Sequence, residues 1–198
     1  MDIIDSEAQD RADMVRLAQG HDAALNELMD RHAGPIFRFL YRMVGNEDDA
    51  NDLAQEAFVR VYKHRDRFRP AEKFSTWLYA IAANLARNHH RWRGRHPNVS
   101  LDAEDESTGR SRADLLTAPG AEPGDSLVEG ERHRAVRAAV DALPDKLRDA
   151  VVLCEWEERS MAEAAAILGT PVKTIESRLY RARQMLRDRL GRWLVNSQ

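Results

Sequence analysis

The stretch Pro171-Val-Lys-Thr-Ile-Glu-Ser-Arg-Leu-Tyr-Arg-Ala-Arg183, PVKTIESRLYRAR, decides how the chain is read. At about 100° per residue, a helix here turns Val172, Ile175, Leu179, Ala182 and Leu186 inward and Lys173, Ser177, Tyr180, Arg181 and Gln184 outward. Just upstream, Ser160 and Glu163 have the spacing of a capping box, and Gly169 after Leu168 supplies the left-handed residue that closes a short helix. Thr170 is placed to cap the next helix, with Pro171 at its first position. Helix, short glycine-containing turn, helix is the layout of a DNA-binding helix-turn-helix, although helical hairpins of other kinds share it. A solvated basic face is the plain alternative, but Ser177, Tyr180 and Gln184 are unnecessary for solubility alone. Glu176 in the middle of this basic helix is the anomaly.

Outward from that helix, the chain of 198 residues is 43% hydrophobic and 32% charged, in the range of a soluble globular protein with one ordinary core or two small ones. No apolar run approaches bilayer length, and the N-terminus MDIIDSEAQDRADM carries acids where a secretory signal needs bases, so a cytoplasmic protein without membrane insertion is expected. The single cysteine, Cys154, lies in the apolar run AVVLCEW and reads as a buried packing residue. The net charge of −3 conceals a polarised chain. Thirteen acids face five bases over residues 1–56, and ten bases face two acids over 60–96. Nine acids face two bases over 97–131, and seven bases face two acids over 171–192. Two basic blocks held apart by an acidic one are the footprint expected of a polyanion-binding surface, which solvated charged faces also resemble.

The first 95 residues read as helices. Ala24, Leu25, Leu28 and Met29 recur at helical spacing, as do Ile36, Phe37, Leu40, Tyr41 and Val44, with Gly34-Pro35 and Gly45 as punctuation. Asn46 reads as an N-cap with Asp49 three residues later, ahead of the stripe Ala50, Leu53, Ala54, Ala57, Phe58 and Val61. In FSTWLYAIAANLARNHHRWRGR, Phe74, Trp77, Leu78, Ile81, Ala82 and Leu85 share one side. The opposite face offers Thr76, Ala80, Ala83 and Arg87, with Asn84, Asn88 and Arg91 on its shoulder. Arginines and amides beside aromatics suit unstacked bases of single-stranded nucleic acid. His89 and His90 are adjacent and point apart, so a metal pair is not expected there. Residues 97–130, rich in Asp, Glu, Ser, Gly and Pro, read as an acidic flexible linker, and Pro144 divides the next two helices. No β-alternation appears, and the fold class is all-α: two small helical domains, residues 1–96 and 131–198.

The blocks DDANDLAQEAFVRVYKHRDRFRPAEKFSTWLYAIAANLARNHHRWR and LPDKLRDAVVLCEWEERSMAEAAAILGTPVKTIESRLYRARQMLR resemble the two domains of extracytoplasmic-function (ECF, group 4) sigma factors. The resemblance covers about residues 20–95 and 130–192, in the same order and with a linker between, so it implies a region 2-like helical bundle followed by a region 4-like helix-turn-helix. It implies binding to core RNA polymerase, recognition of promoter DNA at −10 and −35 elements, and help in melting the duplex, with an anti-sigma factor as a further partner. By position, Asp52, Leu53, Gln55 and Glu56 match the polymerase-binding segment. Arg69 and Lys73 lie in the loop DRFRPAEKF that receives a flipped base, and Trp77, Asn84, Arg87, Asn88 and Arg91 belong to the helix reading the −10 element. Lys173, Thr174, Glu176, Ser177, Arg178, Tyr180 and Arg181 match the helix reading the −35 element. The linker would thread toward the RNA exit path. Ala80 and Glu176 depart from the family pattern, each standing where a basic residue is frequent.

Two other classes compete. A helix-turn-helix repressor or activator binding duplex DNA without polymerase explains residues 130–192 and leaves the Trp77 helix without purpose. A metal-dependent nuclease would recruit Asp48, Asp52 and Glu56, spaced along one helix face, but those acids also suit a helix start and no base stands near them. No catalytic residue, cofactor or metal is therefore expected. For Glu176 two roles remain: pairing with Lys173 near the helix start, or accepting a hydrogen bond from a cytosine amino group.

Overall fold

The computed structural model describes residues 3–95 and 125–196. All regular structure among these residues is helical. The first unit comprises α1 (Ile3–Ala18), α2 (Ala23–Val44), α3 (Glu47–Lys63), a 3-10 turn at Arg65–Arg67 and α4 (Phe74–Arg95). The second comprises α5 (Asp125–Asp141), α6 (Asp145–Val151), a π-helical turn at Val152–Trp156, α7 (Met161–Leu168) and α8 (Val172–Asn196). The segment 97–130 read as linker lies outside the described residues up to 124, and its last six residues open α5.

Local chemistry sets most helix ends. Asn46 Oδ1 accepts from the Asp49 amide at 2.9 Å and starts α3. Gly45 closes α2 at φ 75°, its N–H donating to the Tyr41 carbonyl. Ser160 and Glu163 form the complete capping box of α7, and Gly169 ends it at φ 60°. Pro144 precedes α6, its carbonyl accepting from Leu147 and Arg148. Helix α8 starts one residue later than its caps suggest: Pro171 precedes it and supplies the first accepting carbonyl, and Thr170 makes no side-chain cap.

Gly34-Pro35 does not punctuate the chain; α2 runs through it. An interior proline costs a helix about 3 kcal/mol, but Leu28 before it and Ile36, Phe39, Leu40 and Met43 after it are all buried in one core. Each of those side chains contributes roughly 1.5–3 kcal/mol by leaving water, so one continuous helix outweighs the lost bond. A buried polar cluster pins α1 to α2. Arg31 donates to Asp10 at 2.9 Å and also to Asp13, while His32 Nε2 lies 2.8 Å from Asp10. Burial pushes the Asp10 carboxyl up, but His32 and Arg31 outweigh it and hold it below the ordinary value.

The two units touch. Helix α7 packs on α4, and the π-helical turn packs on α2. Positions 75, 79, 83, 86 and 90 of α4 fall on one stripe at helical spacing. Ser75, Tyr79 and His90 on that stripe meet Arg159, Glu157 and Arg148 of the second unit. Ala83 and Ala86 between them are fully buried. Helix α4 therefore has two covered faces, the other being Phe74, Leu78 and Leu85 in the first unit's core. Cys154 is half-buried in the π-helical turn rather than enclosed, and burial pushes its thiol up.

Candidate nucleic-acid interface

On α8, Ile175, Leu179 and Ala182 are buried, as the spacing predicts, with Leu186 half-buried. Val172, expected inside, is 41% exposed at the first residue of the helix. Lys173, Glu176, Ser177, Tyr180 and Arg181 all face solvent, Tyr180 at 66%. Ser177 spends its proton on the Thr174 carbonyl at 2.9 Å, leaving its oxygen to accept. Thr174 and Arg178 are half-buried, and Arg178 lies in the field of the buried Asp149 on α6, so these two stand at the edge of the presented face. Glu176 makes no ion pair with Lys173; its carboxylate is left to solvent.

On α4 the presented face is rotated from the one expected. Ala83, read as outward, belongs to the stripe covered by the second unit, which the helical spacing of one element cannot reveal. Asn84, Asn88 and Arg91 are exposed and Arg87 half-buried. Arg87 Nη2 donates to Asn84 Oδ1 at 2.6 Å, and Arg91 Nη2 donates to Asn88 Oδ1 at 2.5 Å. Guanidinium cannot accept, so each amide must turn its oxygen to the arginine and its NH2 donors outward. The result is a ladder of alternating cations and amide donors. Trp77 is half-buried, its ring 5.5 Å from that of Phe68 and 6.3 Å from that of Phe74. Arg69 is loosely held, 3.8 Å from Glu72. Lys73 pairs with Glu7 at 2.7 Å and Glu163 at 3.2 Å, and hydrogen bonding to these two carboxylates raises its pKa.

On α3, Asp52 and Gln55 are exposed and unpaired, whereas Leu53 packs half-buried against the core. Glu56 accepts from Arg60 Nε at 2.8 Å, a bond that holds its carboxyl below the ordinary value. Val59, 42% exposed, sits among Asp52, Gln55 and Glu56 at i+7, i+4 and i+3. The sequence reading missed it; the available signal was an apolar residue off the core stripe. Among the described residues no group of three His, Cys, Asp or Glu side chains is arranged to hold a metal ion, Asp48, Asp52 and Glu56 included. His89 Nε2 lies 3.3 Å from Asp49, and His90 Nε2 lies 2.8 Å from the Met43 carbonyl. No helix among the described residues is long and apolar enough to cross a membrane.

The described residues thus form a capped helix-turn-helix unit joined in one chain to a helical bundle that carries an arginine–amide ladder. The Sigma-70 region 2 family matches residues 28–96 and the Sigma-70, region 4 family matches 133–186. The chain is 38% identical to ECF RNA polymerase sigma factor SigW of Bacillus subtilis, over 88% of this chain and 93% of that one. It is 34% identical to the ECF RNA polymerase sigma-E factor of Haemophilus influenzae, over 91% and 95%. The chain belongs to the ECF RNA polymerase sigma factors. Among solved structures it is similar to CnrH in complex with the cytosolic domain of CnrY, with a TM-score of 0.66 and 26% identity over 92% of this chain and 97% of that one. The fold is shared with sigma factor RpoE in complex with the anti-sigma factor NepR from Bartonella quintana, at a TM-score of 0.63 and 23% identity over 84% and 96%.

Proposed function

We infer that this chain works in the cytoplasm as a group 4 sigma factor, an initiation factor rather than an enzyme, through three surfaces. It directs RNA polymerase to promoters. The α3 face of Asp52, Gln55, Val59 and Glu56 docks on a basic surface of core polymerase. The α4 ladder, with Arg69, Lys73 and Trp77, takes the −10 element as unpaired strand: arginines hold phosphates and amide donors meet base edges. Helix α8 enters the major groove at the −35 element with Lys173, Glu176, Ser177, Tyr180 and Arg181. The observation that carries this reading is the ladder itself. A duplex-binding repressor would use α8 and would have no need of outward amides spaced along α4 beside half-buried aromatics. We propose an anti-sigma factor as a further partner, as the sigma factor RpoE of similar fold was solved in complex with the anti-sigma factor NepR.

Run-off transcription with core polymerase and genomic promoter fragments tests the reading. Transcripts that require both the chain and core enzyme are expected. Specific duplex binding by the chain alone, with no transcript, would establish the repressor reading instead.

A further inference from the structure

Residues 7, 10, 14 and 17 of α1 share one face at helical spacing, and Asp10, Met14 and Leu17 on it are buried. Glu7 continues this inward stripe toward the helix start, where an apolar residue would suit the core better, and it is half-buried. Its carboxylate meets a cation. Lys73 Nζ lies 2.7 Å from Glu7 Oε1, nearer than the 3.2 Å to Glu163 of α7, and hydrogen bonding to Glu7 leads the influences that raise the Lys73 pKa. Helix α1 is a firm base for this contact. Arg31 and His32 of α2 hold Asp10, and Arg31 also holds Asp13. The helix packs on the 3-10 turn and on α4, the two elements that the loop 68–73 joins.

Lys73 ends that irregular loop, and its carbonyl accepts from the Trp77 amide at 3.2 Å, so the residue stands at the start of α4. A cation there faces the positive end of the helix dipole, and lysine has no side-chain acceptor with which to cap. Stability does not account for a lysine at this point; contact with a phosphate does. An ammonium on a four-carbon stem samples many rotamers, and ordering it on a ligand lowers affinity. An acid fixed on α1 imposes that order beforehand and leaves the ammonium with further N–H donors for a phosphate.

We propose that Glu7 is a positioning residue for strand binding: it holds the Lys73 ammonium at the end of the loop 68–73, in the place from which it meets a phosphate of the −10 strand. This rests on the strand-binding reading of α4 and its loop. Glu7 acts through Lys73 and itself touches no DNA.

The test sets two effects of opposite sign against each other. Removing an acid beside a DNA-binding surface by itself strengthens binding to a polyanion, whereas releasing Lys73 weakens it. The full chain with Glu7→Gln is expected to bind a fluorescent single-stranded DNA pool of random sequence about fivefold more weakly than the parent. Glu163→Gln, the same loss of charge beside the same lysine with a residue that still serves a capping box, should bring no weakening. Lys73→Ala should weaken binding, and adding Glu7→Gln to it should bring no further loss. Glu7→Asp keeps the charge but withdraws it by one carbon; it should weaken binding as well, and is read in place of Glu7→Gln if that variant loses helicity. Unchanged or tighter binding in the helical Glu7 variant overturns the positioning role, and so does equal weakening by Glu163→Gln. A further loss in the Lys73→Ala background also overturns it, because Glu7 would then brace the start of α4 without acting through the lysine. Parent-like affinity in Lys73→Ala sinks the strand-binding reading of the loop, whereas a weakened Lys73→Ala beside an unchanged Glu7→Gln sinks the role of Glu7 alone.

Discussion

Lys73 Nζ stands 3.2 Å from Glu163 Oε1 across ninety residues of sequence, and the same carboxylate completes the capping box with Ser160. One glutamate thus serves a helix start and a contact between units. The two roles separate by size. Glu163→Ala should cost about 1 kcal/mol through the lost cap, and Lys73→Ala less than about 0.5 kcal/mol, because the pair is partly exposed and screened. Urea unfolding followed by helicity at low and high salt reads both. Burial pushes the Glu163 carboxyl up, but the Ser160 hydrogen bonds and Lys73 outweigh it and keep it below the ordinary value. Its stabilising effect is therefore present above the ordinary glutamate pKa and is lost as pH falls through the lowered one. Equal losses for the two variants would contradict this division.

Asp149 titrates in the opposite direction. It is 3% exposed, one of its oxygens has no partner, and burial pushes it up to about 6 against the field of Arg87, Arg148 and Arg178, with Asp145 adding to the rise. A raised acid favours the fold in its protonated form, so this contribution is full below pH 3.8 and disappears as pH rises through about 6. Asp149→Asn should match the parent near the low end of that window. At neutral pH it should be more stable on the order of 2 kcal/mol. Parallel stability profiles for the two chains would rule out titration at this site.

Charge reversal at Asp52 and Glu56 should weaken binding to core polymerase at least tenfold while helicity stays constant, since both side chains lie off the core. Val59→Ser should weaken it less, and without changing its salt dependence. Surface-bound core enzyme with the variant chains in flow distinguishes the two effects; affinity equal to the parent's in the reversal variant removes α3 from the interface.

Asn84→Ala deletes one rung of the ladder and frees the Arg87 guanidinium that its oxygen holds. Open-complex formation should fall several-fold while binding to closed duplex stays near the parent level. Permanganate reactivity of unpaired thymines measures the first and a filter assay the second. Normal melting in the variant argues against base contact by this amide.

Glu176 is exposed and has no ion pair with Lys173, so pairing at the helix start does not explain it. A carboxylate facing DNA repels phosphate, and a cytosine amino group is the base-edge donor that offsets this, with a discrimination of about 1–3 kcal/mol. Glu176→Arg should change the sequence selected from a randomised −35 library, whereas Arg181→Ala should weaken binding to all sequences alike. An identical consensus for parent and Glu176→Arg would leave the acid without a reading role.

What the sequence made legible is what neighbours decide. The caps at Asn46, Ser160 and Gly169 are contacts over three or four residues, and each stands where the spacing put it. The buried stripe of α8 follows from periodicity alone apart from its exposed first residue, Val172. Distant partners were invisible. Nothing in the sequence marks Asp10 and Asp13 as buried, because Arg31 and His32, their partners, lie some twenty residues away. Gly34-Pro35 read as a break because the core that keeps α2 continuous is assembled from other helices. Ala83 read as a place for DNA because small residues suit any close neighbour, and here that neighbour is the chain itself.

Helix α8 separates its duties residue by residue. Ile175, Leu179 and Ala182 hold the fold, while Glu176, Ser177, Tyr180 and Arg181 touch nothing that the core depends on. Substitutions in the second set leave packing intact, so, on the promoter-reading role proposed for this face, duplicated copies of such a gene could diverge in the promoters they serve without passing through unfolded intermediates.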